Sequence, residues 1–350
     1  MSVQLTVLKA SFGDSIVISG FFDGSNRNIL IDGGPEETFQ QGIRPGELKE
    51  HLEMIKSRGE KVDLLIITHE DQDHICGIIS AFEEEGYLSE LTSEVWFNSG
   101  NLLTEKLSIA EQDDKHRVAT SLSSVTSILD GITLERFLKL KNIKHEQIVH
   151  SSQKLGNKLT RFGCDFEILS PSIKKLKSRN RKWEEKYPSN LTSSSRNNTN
   201  LSLLMNGKST TSDPSPSNGA SIAFNFKYKD KTIMFLGDAH AAEVVRGLKS
   251  HGYSKNNKVK VDYVKLSHHG SKNNTSKKML NLIDCNSYII TTDGSRHGHP
   301  DKEVFARIIE CTDHIPHFLF NHPHLIKQIF VDEDYAEYDF VAKGINSVTL

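Results

Sequence analysis

The sequence predicts a layered α/β fold with its chemistry at the carboxyl end of a buried strand. Three observations predict it. Residues 3–9 and 15–19 alternate apolar and polar positions, as paired strands do. Val62 to Thr68 is a short, continuous, β-branched apolar run, suited to a strand covered on both faces. A polar loop and then a helical pattern follow it directly, which is how an α/β layer presents functional groups.

The Gly13-Asp14 turn separates the first two strands, and Asn28 to Ile31 forms another, stopped by Asp32-Gly33-Gly34. Gly46 to Arg58 reads as a helix with Leu48, Leu52 and Ile55 on one face. After the buried strand, Ile75 to Glu85 reads as a second helix. Residues 101–150 carry no motif and are mostly helical, an expected insertion that covers the site. Residues 174–219 form a second insertion. Its first part, 174–187, is strongly basic with Trp183 and Tyr187 interleaved, and 189–219 is rich in Ser, Asn, Thr and Pro, the composition of a flexible loop. Ser221 to Lys227 and Lys231 to Leu236 form a hairpin through Lys229-Asp230, and strands follow at Val259 to Leu266 and Ser287 to Thr291. No internal repeat is visible, and residues 1–350 read as a single domain with insertions.

Bulk composition narrows the function classes. A chain of 350 residues with 36% hydrophobic content can bury a sizeable core, and a formal net charge of -2 provides no global basic field for nucleic acid. Cys76, Cys164, Cys285 and Cys311 are scattered without a C-x-x-C pair, which argues against a disulfide framework and for a reducing cytoplasm. The first residues lack an apolar signal core, and no stretch has the length of a bilayer-spanning helix, so no membrane association is expected.

Four segments carry the chemistry. Thr68 to His74 reads T-H-E-D-Q-D-H and places His69, Asp71, Asp73 and His74 within six residues. Imidazole and carboxylate are ordinary ligands for zinc, manganese or iron. A helix cap explains the acids but not the two flanking histidines. Phe235-Leu236-Gly237-Asp238 puts a carboxylate just past an apolar strand, where either a turn residue or a metal ligand fits. Lys265 to Ser271 closes a strand with His268 and His269 before Gly270. Arg296-His297-Gly298-His299-Pro300 leads from a loop into a helix. His314-Ile315-Pro316-His317 and His322-Pro323-His324 also concentrate imidazoles, but their prolines suit loops beside a strand better than a second metal site.

Taken together, these segments resemble the metallo-β-lactamase superfamily, and within it the ComEC-like domain of competence DNA-uptake proteins. Further segments match that branch in order: Ser11-Phe12-Gly13-Asp14-Ser15, Leu30-Ile31-Asp32-Gly33-Gly34, Asn218-Gly219-Ala220-Ser221 and Arg296 to Pro300. The resemblance implies an αββα four-layer sandwich with a dinuclear site at one edge of two sheets. It implies that His69 and Asp71 hold one metal, that Asp73 and His74 hold a second with His268 or His269, and that Asp238 bridges them. Asp32 would sit behind the ligands and orient a histidine. Asp stands at position 71 where the family's usual motif has His, which moves the site toward oxygen ligands and makes manganese plausible beside zinc. Many members supply another histidine between the two halves of the motif set. Only His116, His145 and His150 lie in that interval, without supporting context.

The implied activity is a dinuclear metal-dependent hydrolase using a metal-bridging hydroxide, most simply a phosphodiesterase or nuclease acting on nucleic acid or a nucleotide. Asp73 would orient or deprotonate the nucleophile, Arg296 would neutralise a phosphate, and His299 would stabilise or protonate the leaving oxygen. The basic aromatic stretch at 174–187 would contact phosphates and stack a base, unless it is only a solvated helix face. Two other readings stay open: hydrolysis of a small ester, lactone or thioester by the same site, and a metal-stabilised binding or regulatory module with little turnover.

Overall fold

A computed structural model of the chain describes residues 3–107, 122–182, 200–205 and 212–350. The expected contributions of His116, Trp183 and Tyr187 lie outside the described residues. The chain forms two compact units. The first comprises Met1–Val149, Ile173–Leu191 and Ser347–Leu350, and the second His150–Ser172 and Thr192–Asn346.

The first unit is built on a six-stranded mixed sheet. Its order is Ser347–Thr349, Gln4–Val7, Ile16–Phe22, Ser25–Ile31, Val62–Ile66 and Val95–Trp96. The first four strands are antiparallel neighbours, whereas Val62–Ile66 runs parallel to both of its partners. That position explains its composition, since a strand covered on both faces has no solvent side for polar alternation, and all five residues are buried. The helix Glu47–Ser57 buries Leu48, Leu52 and Ile55, each contributing about 1.5–3 kcal/mol of apolar burial. The helix Gln72–Glu83 buries Ile75, Ile78, Ile79 and Phe82 in the same core.

The start of that second helix is held by two early turns. The Asp14 N–H donates to the Asp73 carbonyl (3.1 Å), and the Gly33 N–H donates to the His74 carbonyl (2.8 Å). Contact here is backbone on backbone. A Cβ on Gly13 would stand 2.0 Å from the Asp73 oxygen, and one on Gly77 would stand 2.1 Å from the Gly33 oxygen. Glycine is required at both positions because nothing larger leaves room.

The second unit carries an eight-stranded sheet. Its order is Val341–Gly344, His317–Phe320, Ser287–Ile290, Tyr263–Lys265, Lys231–Phe235, Ala223–Tyr228, Cys164–Ser170 and Lys158–Arg161. The strands are parallel from Val341–Gly344 to Lys231–Phe235 and antiparallel beyond. Phe305 anchors its core, with ring centroids 4.8 Å from Phe318 and 5.1 Å from Phe330, in edge-on geometry. Sheets of this mixed kind with flanking helices are the components of the metallo-β-lactamase fold, the class expected from the motifs.

Several boundaries differ from expectation for physical reasons. The helix after the histidine-aspartate segment begins at Gln72 rather than Ile75, with Asp71 as its extended cap residue, so Asp73 and His74 lie in its first turn. The expected strand from Val259 to Leu266 is two short strands, Val259–Lys260 in a small two-stranded sheet and Tyr263–Lys265 in the large one. The end of the Ser/Asn-rich segment is part of the second unit. Asp213 is buried, and Pro216–Gly219 forms a turn of helix whose Ser215 side chain accepts the Asn218 N–H. The hairpin of Lys158–Arg161 with Cys164–Ser170 and the three strands from His317 onward had no motif to mark them. Among the described residues, no helix is long and apolar enough to cross a membrane.

Candidate functional site

In the first unit the loop after Val62–Ile66 gathers its donors around His69 and His74. The two rings lie with centroids 4.2 Å apart, both buried. His69 Nε2 is 3.5 Å from Asp71 Oδ2, and His74 Nε2 is 3.9 Å from Asp73 Oδ2. These separations exceed a hydrogen bond. They match two ligands that each stand about 2.0–2.2 Å from a shared cation.

A buried carboxylate supports this loop from behind. Asp32 Oδ2 lies 2.9 Å from His74 Nδ1, and its two oxygens also accept the Thr68 N–H and hydroxyl, each at 2.7 Å. Bonding Nδ1 to a carboxylate leaves Nε2 as the ring nitrogen that could take a metal. The backbone of Asp32 is left-handed (φ 55°), which turns the chain sharply out of its strand. Asp14 adds a second carboxylate, with Oδ2 4.0 Å from His74 Nδ1. Asp14, Asp32 and His74 form a buried group with donor atoms close enough to surround an ion. The role of Asp14 beside His74 had no sequence signal beyond its place in the glycine-aspartate-serine turn.

The second unit holds a matching set. Asp238 follows the strand Lys231–Phe235, and its N–H donates to the Ser221 hydroxyl at 3.0 Å. His268 Nε2 lies 3.7 Å from Asp238 Oδ2, and His269 Nε2 lies 4.0 Å from Asp238 Oδ1. His269 Nδ1 bonds the Thr291 carbonyl at 2.8 Å, which again turns Nε2 toward the carboxylate. Both histidines have left-handed backbones, φ 48° and 53°. Two consecutive non-glycine residues in that region are strained, and the strain aims both rings at one side.

Behind His268 sits Asp213, which the sequence did not single out. Its Oδ2 accepts from Asn218 Nδ2 (2.7 Å) and Asn274 Nδ2 (2.8 Å) and lies 3.5 Å from His268 Nδ1. Burial pushes the Asp213 carboxyl up, but His268, His240 and the Asn274 bond outweigh it, holding it well below the usual carboxylate range. Burial likewise works against a charged His268 ring. The Asp238 charge and the contact with Asp213 more than offset it and raise the metal-free ring to about 10.

His299 joins the second unit's set. Its ring centroid is 5.0 Å from that of His268, and its Nδ1 is 3.5 Å from Asp301 Oδ2. Burial, only partly countered by Asp301, lowers its pKa. Arg296 is exposed in the same loop. Of the two described intermediate histidines, His145 Nε2 bonds the Phe97 carbonyl at 2.7 Å, and His150 Nδ1 accepts the Ser152 N–H at 3.3 Å. Of the other histidine cluster, His314 pairs with Asp284 (2.9 Å) and His324 with the Asp293 carbonyl (3.1 Å), which accounts for both without a metal.

The described part of the basic segment lies in a helix, Ile173–Lys182, and its Arg179 points inward. Arg179 is buried against Glu70, with Nε to Oε1 at 2.8 Å and Nη2 to Oε2 at 2.7 Å. Glu70 lies inside the T-H-E-D-Q-D-H segment and Arg179 inside the basic stretch expected to contact phosphates, but nothing in the sequence marks their pairing.

No curated protein matches the chain. Among solved structures, the metallo-β-lactamase fold protein YhfI from Bacillus subtilis aligns over 99% of both chains at 11% identity and a TM-score of 0.44. CmlA, a diiron β-hydroxylase from Streptomyces venezuelae, aligns over all of this chain at 12% identity and a TM-score of 0.41, and this chain spans 54% of it. A sequence model of the metallo-β-lactamase superfamily matches residues 10–290, which takes in the histidine-aspartate loop, the glycine-aspartate turn and the paired histidines. The chain belongs to the metallo-β-lactamase superfamily.

Proposed function

We propose that this protein is a hydrolase requiring two divalent metal ions, zinc or manganese, and that it cleaves phosphodiesters of nucleic acid or nucleotides. His69, Asp71, Asp73, His74, Asp238, His268 and His269 are the proposed ligands. The observation that carries the reading is the recurring spacing of 3.5–4.0 Å between imidazole Nε2 and carboxylate oxygen in both units. Hydrogen-bonded pairs would close to about 3 Å, whereas ligands of a common ion stand apart by this amount.

Bound divalent ions supply Lewis acidity and bring the pKa of water toward neutrality. The remaining work falls to the chain. Asp32 and the Thr291 carbonyl fix the tautomers of His74 and His269. Asp73 takes the proton released by the attacking water. His299 hydrogen-bonds the oxygen that gains charge or protonates the leaving oxygen, with Asp301 beside its ring. Arg296 neutralises the phosphate. Three carboxylates among the ligands favour a hard cation. The entry turn, the paired histidines and the Arg296 to Pro300 loop support the ComEC-like branch, and with it a DNA strand as substrate.

The test is metal analysis of protein purified without chelator, then manganese-supplemented assays on single- and double-stranded DNA, RNA and a panel of chromogenic esters. Nucleic acid cleavage that is lost in Asp73→Asn supports the reading. Ester turnover without phosphodiester cleavage changes the substrate class. Full metal occupancy with no turnover on any of these makes the protein a metal-stabilised binding module.

A further inference from the structure

We propose that Arg179 is a positioning residue for the metal loop, acting through Glu70. Glu70 stands between His69 and Asp71, two of the proposed ligands, so whatever fixes its side chain also fixes the backbone that aims theirs. The inference rests on the metal-binding reading of that loop and extends it to the helix Ile173–Lys182.

The contact has a particular form. Arg179 grips both carboxylate oxygens of Glu70, and its Nη1 donates to the Asn98 carbonyl at 2.6 Å. Asn98 follows the strand Val95–Trp96, the parallel neighbour of Val62–Ile66 from which the metal loop emerges. It is tied in turn to Val149, whose carbonyl accepts from Asn98 Nδ2 (2.8 Å) and whose N–H donates to Asn98 Oδ1 (2.9 Å). The guanidinium thus fastens the metal loop to the end of the adjacent strand. Both side chains are 3% exposed. A planar guanidinium that donates to one carboxylate oxygen and stands 2.7 Å from the other sets orientation as well as distance, which an ammonium does not. Lys174 and Lys177 of the same helix are exposed, whereas Arg179 is buried.

A buried ion pair is weak evidence for stability, since desolvation consumes much of the attraction. Its value here is geometric. Groups that hold metal ligands in place commonly tune metal affinity by about 10- to 100-fold without touching the ion.

The experiment is a double-variant cycle on the full chain with Arg179→Met, Glu70→Gln and the pair combined. Manganese and zinc dissociation constants and apo Tm are measured for each. Each single variant is expected to weaken metal binding at least about tenfold. The combined variant leaves no buried charge alone, so it is expected to regain apo Tm while keeping the weakened affinity. Arg179→Lys, which retains charge but not the two-pronged grip, is expected to bind metal as poorly as Arg179→Met. Wild-type affinity in folded single variants, or affinity that recovers along with Tm, overturns the positioning role while leaving the metal reading standing. Failure of all the variants to fold assigns the pair to stability and also overturns it. A wild-type chain that takes up no metal overturns the metal reading and this inference with it.

Discussion

The Oδ2 atom of Asp32 lies 2.9 Å from Nδ1 of His74, with both side chains sealed from solvent. This pair links the glycine turn after one strand to the first turn of the helix after another. It fixes the orientation of the imidazole.

Asp32→Asn tests that arrangement cleanly. Asparagine tolerates the left-handed backbone at this position better than other replacements, so the change removes the charge and replaces one acceptor oxygen by a donor, with little backbone cost. Metal affinity is expected to fall about 10- to 100-fold, read by competition against a chromophoric chelator. Unchanged affinity would show that His74 is oriented without its carboxylate.

Gly13→Ala tests the close approach that seats the helix Gln72–Glu83. The added methyl meets the Asp73 carbonyl, which cannot yield without moving the helix start. A loss of about 1–3 kcal/mol is expected in urea unfolding, with reduced metal content in the folded fraction. Alanine at wild-type stability would mean that the turn has slack.

His299→Ala separates ligand from catalytic group. Metal content by mass spectrometry is expected to stay at the wild-type level while turnover falls about 100-fold or more. Loss of metal would make His299 a ligand and end its proposed role at the leaving oxygen.

Acid stability of the second unit's sheet carries a signature of Glu167. Burial raises its carboxyl pKa, but the bonds from Lys227 and Asn225 prevail, and the net shift is downward from 4.5. A carboxyl depressed on folding stabilises fully above its unfolded value, and that contribution drains away as pH falls through the folded one. Glu167→Gln is therefore expected to lower the urea midpoint at pH 7 and to narrow the wild-type difference between pH 7 and pH 3. Equal slopes for the two proteins would remove Glu167 from the acid limb.

What the sequence disclosed was local. An apolar run such as Val62–Ile66 and four donors packed between His69 and His74 are visible because the pattern and the chemistry occupy neighbouring positions. Asp32 was readable because its turn follows a strand directly. Asp213 and Arg179 were not, because each is a single polar residue whose meaning lies in a distant partner. Asn274 is 61 positions from Asp213, and Glu70 is 109 from Arg179. Composition also misled at residues 212–219, where serine, asparagine and proline form caps and bonds around Asp213 rather than a loose loop. The strands from His317 onward escaped notice because histidine and proline at their edges obscured a short apolar core, Phe318 to Phe320.

The pairing of Gln4–Val7 with Ser347–Thr349 has a consequence for biosynthesis. A ribosome makes the Gln4–Val7 half of that ladder long before the Ser347–Thr349 half. In the interval the early strand keeps one flank of amide and carbonyl groups bare, the kind of template that recruits a stranger. A message cut short before codon 347 would leave that flank permanently open, and the truncated product would associate through it.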